Sequence, residues 1–125
     1  MSPNDLSERI KVVTGFDIPE MNKSLGELIV KREDAKAKWK TLDKLTVVMR
    51  DTAAMDWYAH QKKPPSMALA EKRGNISPSY KKHVEGVEAA HQLWGRLEAQ
   101  TRSLEENIWF ARQAISFAKS ELNHR

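Results

Sequence analysis

The sequence predicts an all-α protein: two long antiparallel helices in a helical hairpin, with a short N-terminal helix, assembled into a homo-oligomer. Three observations predict it. Apolar residues recur at spacings of three and four along two long stretches, the signature of a seam repeating every 3.5 residues. Glycine is sparse, five in 125 residues, and β-branched alternation is nearly absent. Between the two stretches Pro64 and Pro65 forbid helix. The 125 residues read as a single helical domain, divided into an N-terminal segment 1–16, a long helix 18–61, a basic connector 62–77 and a long helix 78–123.

The N-terminal segment carries Leu6, Ile10 and Val13 at helical spacing before Gly15, which predicts the short helix. The opening MSPNDLSERIK is charged and has no apolar h-region, so no secretory signal is expected. No run approaches the ~20 apolar residues that span a bilayer, and no membrane association is expected.

The first long helix has Asp17 as its cap, Glu20 three residues on as a capping box, and Pro19 in the first turn. Its seam is Ile18, Met21, Leu25, Leu28, Arg32, Ala35, Trp39, Leu42, Thr46, Met49 and Ala53, nine of eleven apolar. Pro64 must end it. In the connector, Ser66 is placed to cap a short helix, with Gly74 as its left-handed terminator.

The second long helix starts at Ser77-Pro78, an N-cap followed by proline at the first helical position. Its seam is Tyr80, His83, Val87, Ala90, Trp94, Leu97, Thr101, Leu104, Ile108, Ala111, Ile115, Ala118 and Leu122, eleven of thirteen apolar. Gly95 costs about 1 kcal/mol against alanine in mid-helix. It either permits the close approach of a partner helix or is a tolerated weak point. Each long helix would extend roughly 65 Å at 1.5 Å per residue, so folding one back on the other is the natural way to cover both seams. Ile29, Val30, Val47, Val48, Trp109, Phe110 and Phe117 fall off the seams. Two helices cannot cover them, which points to burial between subunits.

The formal net charge is +4 and the pI about 9.4. Residues 58–83 hold six cations (Lys62, Lys63, Lys72, Arg73, Lys81 and Lys82) and one acid, Glu71, a net of +5 that leaves −1 for the rest of the chain. A positive excess gathered in one connector is the pattern of a polyanion binder. It also fits a solvated loop. Trp57 and Tyr58 stand where the first helix meets this connector. Rings beside cations are what sequence-tolerant single-strand binding uses, and a place at the end of the core is the other reading of Trp57. Trp39 and Trp94 fall on seams and read as core, whereas Trp109 is one residue off its seam and reads as facing a neighbouring subunit. A second basic set, Lys36, Lys40 and Lys44, lines one face of the first long helix, with Lys38 to the side. Asp43 and Glu33 dilute it, and a solvated stripe reads equally well.

The chain has no cysteine, which excludes disulfides, a thiol nucleophile and cysteine metal clusters. Glu85, Glu88 and His91 give one E-x-x-H, but helical di-iron sites need two such motifs and further carboxylates, so a polar face is the better reading. His83 marks a seam position where packing opens, and His124 sits at the terminus. No glycine-rich phosphate loop, HExxH or GxSxG motif occurs. No catalytic residue, cofactor or metal ligand is assigned, and no enzymatic activity is expected.

The order of features resembles the UvsY recombination mediator family of T-even phages. The shared elements are Lys38-Trp39 early in the first long helix, the acid-aromatic-aromatic triplet Asp56-Trp57-Tyr58 at its end, a polar basic connector, and QLWG at 92–95 in the second long helix. The resemblance covers residues 25–118. It implies an all-helical protein in a closed homo-oligomeric ring that binds single-stranded DNA. It further implies help for a RecA-like recombinase in replacing single-strand-binding protein, in the cytoplasm of a host cell if the chain is phage-encoded. The family carries basic residues just before the aromatic pair, where this chain has Ala53, Ala54 and Met55. That shifts the expected DNA contacts toward Lys62, Lys63, Lys72 and Arg73, or weakens them. Two further classes fit the same pattern. One is a small helical subunit or inhibitor of a nucleoprotein complex, such as an anti-CRISPR-like protein. The other is a structural phage assembly protein.

Overall fold

The computed structural model describes residues 8–9, 11–12 and 14–123, the Leu122 side chain excepted. Leu6, Ile10, Val13 and His124 lie outside the described residues. The described chain is all-helical and contains no strand. Its four longer helices are α1 (Ile18–Lys44), α2 (Thr46–Ala59), α3 (Met67–Asn75) and α4 (Pro78–Asn123). No helix among the described residues is long and apolar enough to cross a membrane. The chain divides into two compact units: Met1–Arg32 with Leu97–Arg125, and Glu33–Arg96.

In the first unit, Glu8, Arg9, Lys11, Val12 and Thr14 are helical. This turn closes at Gly15, whose N–H donates to the Lys11 carbonyl at 2.7 Å with φ +75, a conformation that costs glycine no side-chain clash. Asp17 then starts α1 as its sequence position implies: its Oδ1 accepts the Glu20 N–H at 3.2 Å. Lys11 Nζ stands 3.3 Å from Asp17 Oδ2. The amide bond first, and the ammonium second, hold the Asp17 carboxyl below the usual aspartate range. Across this unit α1 runs antiparallel to the end of α4. Asn22 and Leu25 share a groove with Glu105, Ile108 and Trp109, while further along α1 Arg32 reaches back to Glu98 at 3.7 Å.

In the second unit, Trp39 stacks on Trp94 at 5.3 Å and Thr46 meets His83 at 3.2 Å, again antiparallel. Every described seam position of both stretches is half-buried or buried. The buried residues are small: Ala35, Ala54, Ala70, Ala90 and Ala111 with Ile108, and the largest fully buried side chain is Thr101. Its hydroxyl donates to the Leu97 carbonyl of its own helix at 2.7 Å, so a polar group sits on the seam without a penalty. Off the seams, Val30, Val47, Val48, Trp109, Phe110 and Phe117 are exposed, and Ile29 is half-buried.

The uninterrupted helix expected over 18–61 is instead two helices that meet at Leu45. The reason is a crowded carbonyl. The Leu42 oxygen accepts from Leu45 N–H at 3.1 Å, Thr46 Oγ1–H at 3.4 Å and His83 Nε2–H at 2.9 Å. Side chains that insert into the i→i−4 ladder bend a helix there. His83 and Thr46, the two polar seam residues of this unit, are therefore partners rather than a place where packing opens. The helix also stops at Ala59 rather than at 61. His60 and Gln61 N–H groups bond three residues back, to Trp57 and Tyr58 carbonyls at 3.2 Å, which tightens the last turn before the prolines.

Candidate nucleic-acid interface

Pro64 and Pro65 take the chain out of α2, and Ser66 starts α3 by accepting the Leu69 N–H on its hydroxyl at 3.2 Å. Gly74 is not the left-handed terminator of this helix. It lies inside α3 with ordinary helical φ, and it is buried. A Cβ there would stand 2.7 Å from the Arg50 carbonyl oxygen and 2.9 Å from Ala54 Cβ. Its missing side chain is what lets α3 lie directly on α2. Ala70, four residues earlier, is also fully buried, so the two make a small-residue face. That spacing was present in the sequence and is the signal that identifies Gly74 correctly.

This close approach sets the geometry of the tip. Arg73, beside Gly74, lies over the Trp57 ring with its guanidinium carbon 5.5 Å from the centroid. Trp57 is half-buried and Arg73 exposed, so the outer side of the pair meets water. Next to it opens a cleft of about 480 Å³ lined by Ala53, Asp56, Trp57, His60, Arg73, Ile76 and residues 77–79 at the start of α4. His60 Nδ1–H donates to the Asp56 carbonyl at 2.7 Å, which in the neutral ring leaves Nε2 as an acceptor. The Ser77 and Ser79 hydroxyls are 2.9 Å apart. Ser77 thus spends its side chain on a neighbour at the helix start, while its carbonyl accepts the Lys81 N–H at 3.0 Å.

Of the residues singled out in the sequence, the structure joins Trp57 and Arg73. Lys62, Lys63, Lys72, Lys81 and Lys82 are exposed and lie outside the lining of the cleft, and Tyr58 is half-buried on α2. The sequence reading missed Asp56, His60, Ser77 and Ser79 as cleft residues. Their convergence depends on how α3 packs, which no local pattern in them announces. Trp39 and Trp94, expected in the core, stack on each other across the seam and are half-buried. His91 joins them with its ring 4.5 Å from Trp39, although its own surface is exposed. Among the described residues no three His, Asp or Glu side chains converge as a metal site. On the basic stripe of α1, Lys40 and Lys44 are exposed and Lys36 is half-buried.

Chemically, the tip offers a ring with a cation over it, hydroxyls and one carboxylate, with exposed lysines on the same segment of chain. No protein-family model, curated protein or solved structure matches the chain.

Proposed function

We propose that this chain is a non-enzymatic, single-stranded DNA-binding recombination mediator that helps a RecA-like recombinase replace single-strand-binding protein. One observation carries the DNA-binding reading: Arg73, from the segment that holds the chain's positive excess, sits over Trp57 beside an open cleft. Rings stack bases and flanking cations neutralise phosphates, without reading sequence. The recombination context rests on the resemblance to the UvsY family. Homo-oligomerisation is supported by large exposed apolar side chains, among them Trp109 at 58%, Phe110 at 67% and Phe117 at 70%. A ring of subunits would repeat a weak site and raise avidity with no new kind of interaction.

The test is single-strand affinity as a function of salt, for wild type and for Lys62, Lys63, Lys72 and Arg73 changed together to Glu. Each phosphate that is no longer neutralised should flatten the log–log slope by about 0.7 for a single strand. The expected result is much weaker binding and a slope shallower by about 3. An unchanged affinity or slope removes the proposal. Light scattering checks the assembly: a solitary monomer without DNA affinity favours the subunit-or-inhibitor class instead.

A further inference from the structure

We infer that Arg73 is a placeholder on Trp57, and that the cleft at the tip receives one unpaired nucleobase, which takes the guanidinium's position on the indole. This rests on the DNA-binding reading and adds to it what part of the strand is held and why a single strand is required.

The cleft, about 480 Å³, falls within the range of about 300–1,000 Å³ typical of small-ligand sites, with room for one nucleoside. Its lining combines Arg73, which attracts an anion, with Asp56, whose carboxylate oxygens accept from ring N–H and exocyclic amine groups, so a base finds partners there that a bare phosphate does not. His60 adds a second acceptor at Nε2, because its Nδ1–H is committed to the Asp56 carbonyl. The Ser77 and Ser79 hydroxyls can donate or accept.

Relative strengths favour the exchange. A cation over a ring at an exposed site is worth a factor of about 2–5 in an equilibrium constant. A base stacked on an aromatic side chain is worth a factor of about 5–150. The displaced guanidinium keeps its charge beside the strand, so it attracts the phosphates equally whether it lies on the ring or off it. A duplex cannot make this exchange, since its bases are already stacked and paired. The cleft would therefore give the protein its preference for single strands, while the surrounding lysines bind either form.

The experiment compares a thymidine oligonucleotide, an abasic oligonucleotide of equal length and a duplex, by fluorescence anisotropy across a salt series. Wild type should bind the thymidine strand about tenfold or more tighter than the abasic strand, with equal salt slopes. Trp57→Phe should keep that ratio and Trp57→Ala should erase it. Arg73→Ala should weaken both strands yet widen the ratio by about 2–5-fold, because a competitor for the ring is gone. Equal wild-type affinity for thymidine and abasic strands overturns the base site while leaving phosphate binding intact. A ratio that survives in Trp57→Ala, or that narrows in Arg73→Ala, also overturns it. No binding to any strand overturns this inference and the DNA-binding reading together. The wild-type comparison decides the matter even if a Trp57 variant folds poorly.

Discussion

Adding one carbon at Gly74 measures how closely α3 is held on α2. In Gly74→Ala the new Cβ would meet the Arg50 carbonyl oxygen at 2.7 Å, Ala54 Cβ at 2.9 Å and Ala54 N at 3.1 Å. Ordinary contacts at such a carbon begin near 3.4 Å, so the helices must part by roughly 0.7 Å. Backbone atoms form two of the three contacts, and no flexible side chain can turn away. A gap of that size forfeits about a quarter to a half of the dispersion attraction at the lining atoms. Overpacking of this kind costs about 1–3 kcal/mol. Alanine's better helix propensity returns up to about 1 kcal/mol. The net expectation is a loss of about 1–2 kcal/mol. Thermal unfolding followed by circular dichroism at 222 nm should show a midpoint lowered by several degrees, at about 4 °C per kcal/mol for a chain of this size. Because Arg73 adjoins Gly74, the same shift should lift the guanidinium from Trp57 and change tryptophan emission. A variant that melts at or above the wild-type temperature would falsify the close approach and, with it, the reason Arg73 stands where it does.

Gly95→Ala is the opposite case, since nothing lies within 4 Å of the carbon it adds. It should raise stability by about 0.5–1 kcal/mol, and a lower melting midpoint would mean that another surface packs there. Asp17 gives a pH prediction. Its carboxyl is held below the ordinary 3.8, so its stabilisation is present above that value and disappears as pH falls through the lower folded pKa. Protection of the Glu20 amide from hydrogen exchange should drop in that acid window, and Asp17→Ala should show the same loss at neutral pH; protection indifferent to both changes contradicts the cap. His83→Ala removes a half-buried donor to Leu42 and Thr46, and should cost about 1–3 kcal/mol in urea unfolding, with His83→Gln recovering part of it. Identical urea midpoints for wild type and the alanine variant would show that the bond at the helix break carries no weight.

Much of the fold is legible in the sequence because helices report their own surfaces. A residue every three or four positions lies on one face regardless of what covers it, so the seam positions could be read before any partner was known. Caps are equally local. Asp17 and Ser66 each satisfy an amide three residues away, and three residues is within reach of sequence inspection. The break at Leu45 was not legible. Nothing near Leu42 is a proline or glycine, and the bend arises from His83, forty-one residues distant, reaching a carbonyl. The two polar seam residues were visible as exceptions, but their pairing depends on register between helices, which a periodic pattern leaves free.

The tip divides in the same way. That cations, rings and prolines gather there is a property of the chain order alone. That Arg73, and not one of the five lysines nearby, covers Trp57 follows from Gly74 seating α3 against Arg50 and Ala54. What the sequence determined by itself is which residues are helical, which faces are apolar and where charge collects, because each of these depends on spacing along one chain. Only the tertiary structure decided which helix bends, which side chains line the cleft and which cation meets the ring. Those depend on contacts between segments far apart in sequence, where a shift of less than one ångström separates a fit from a clash.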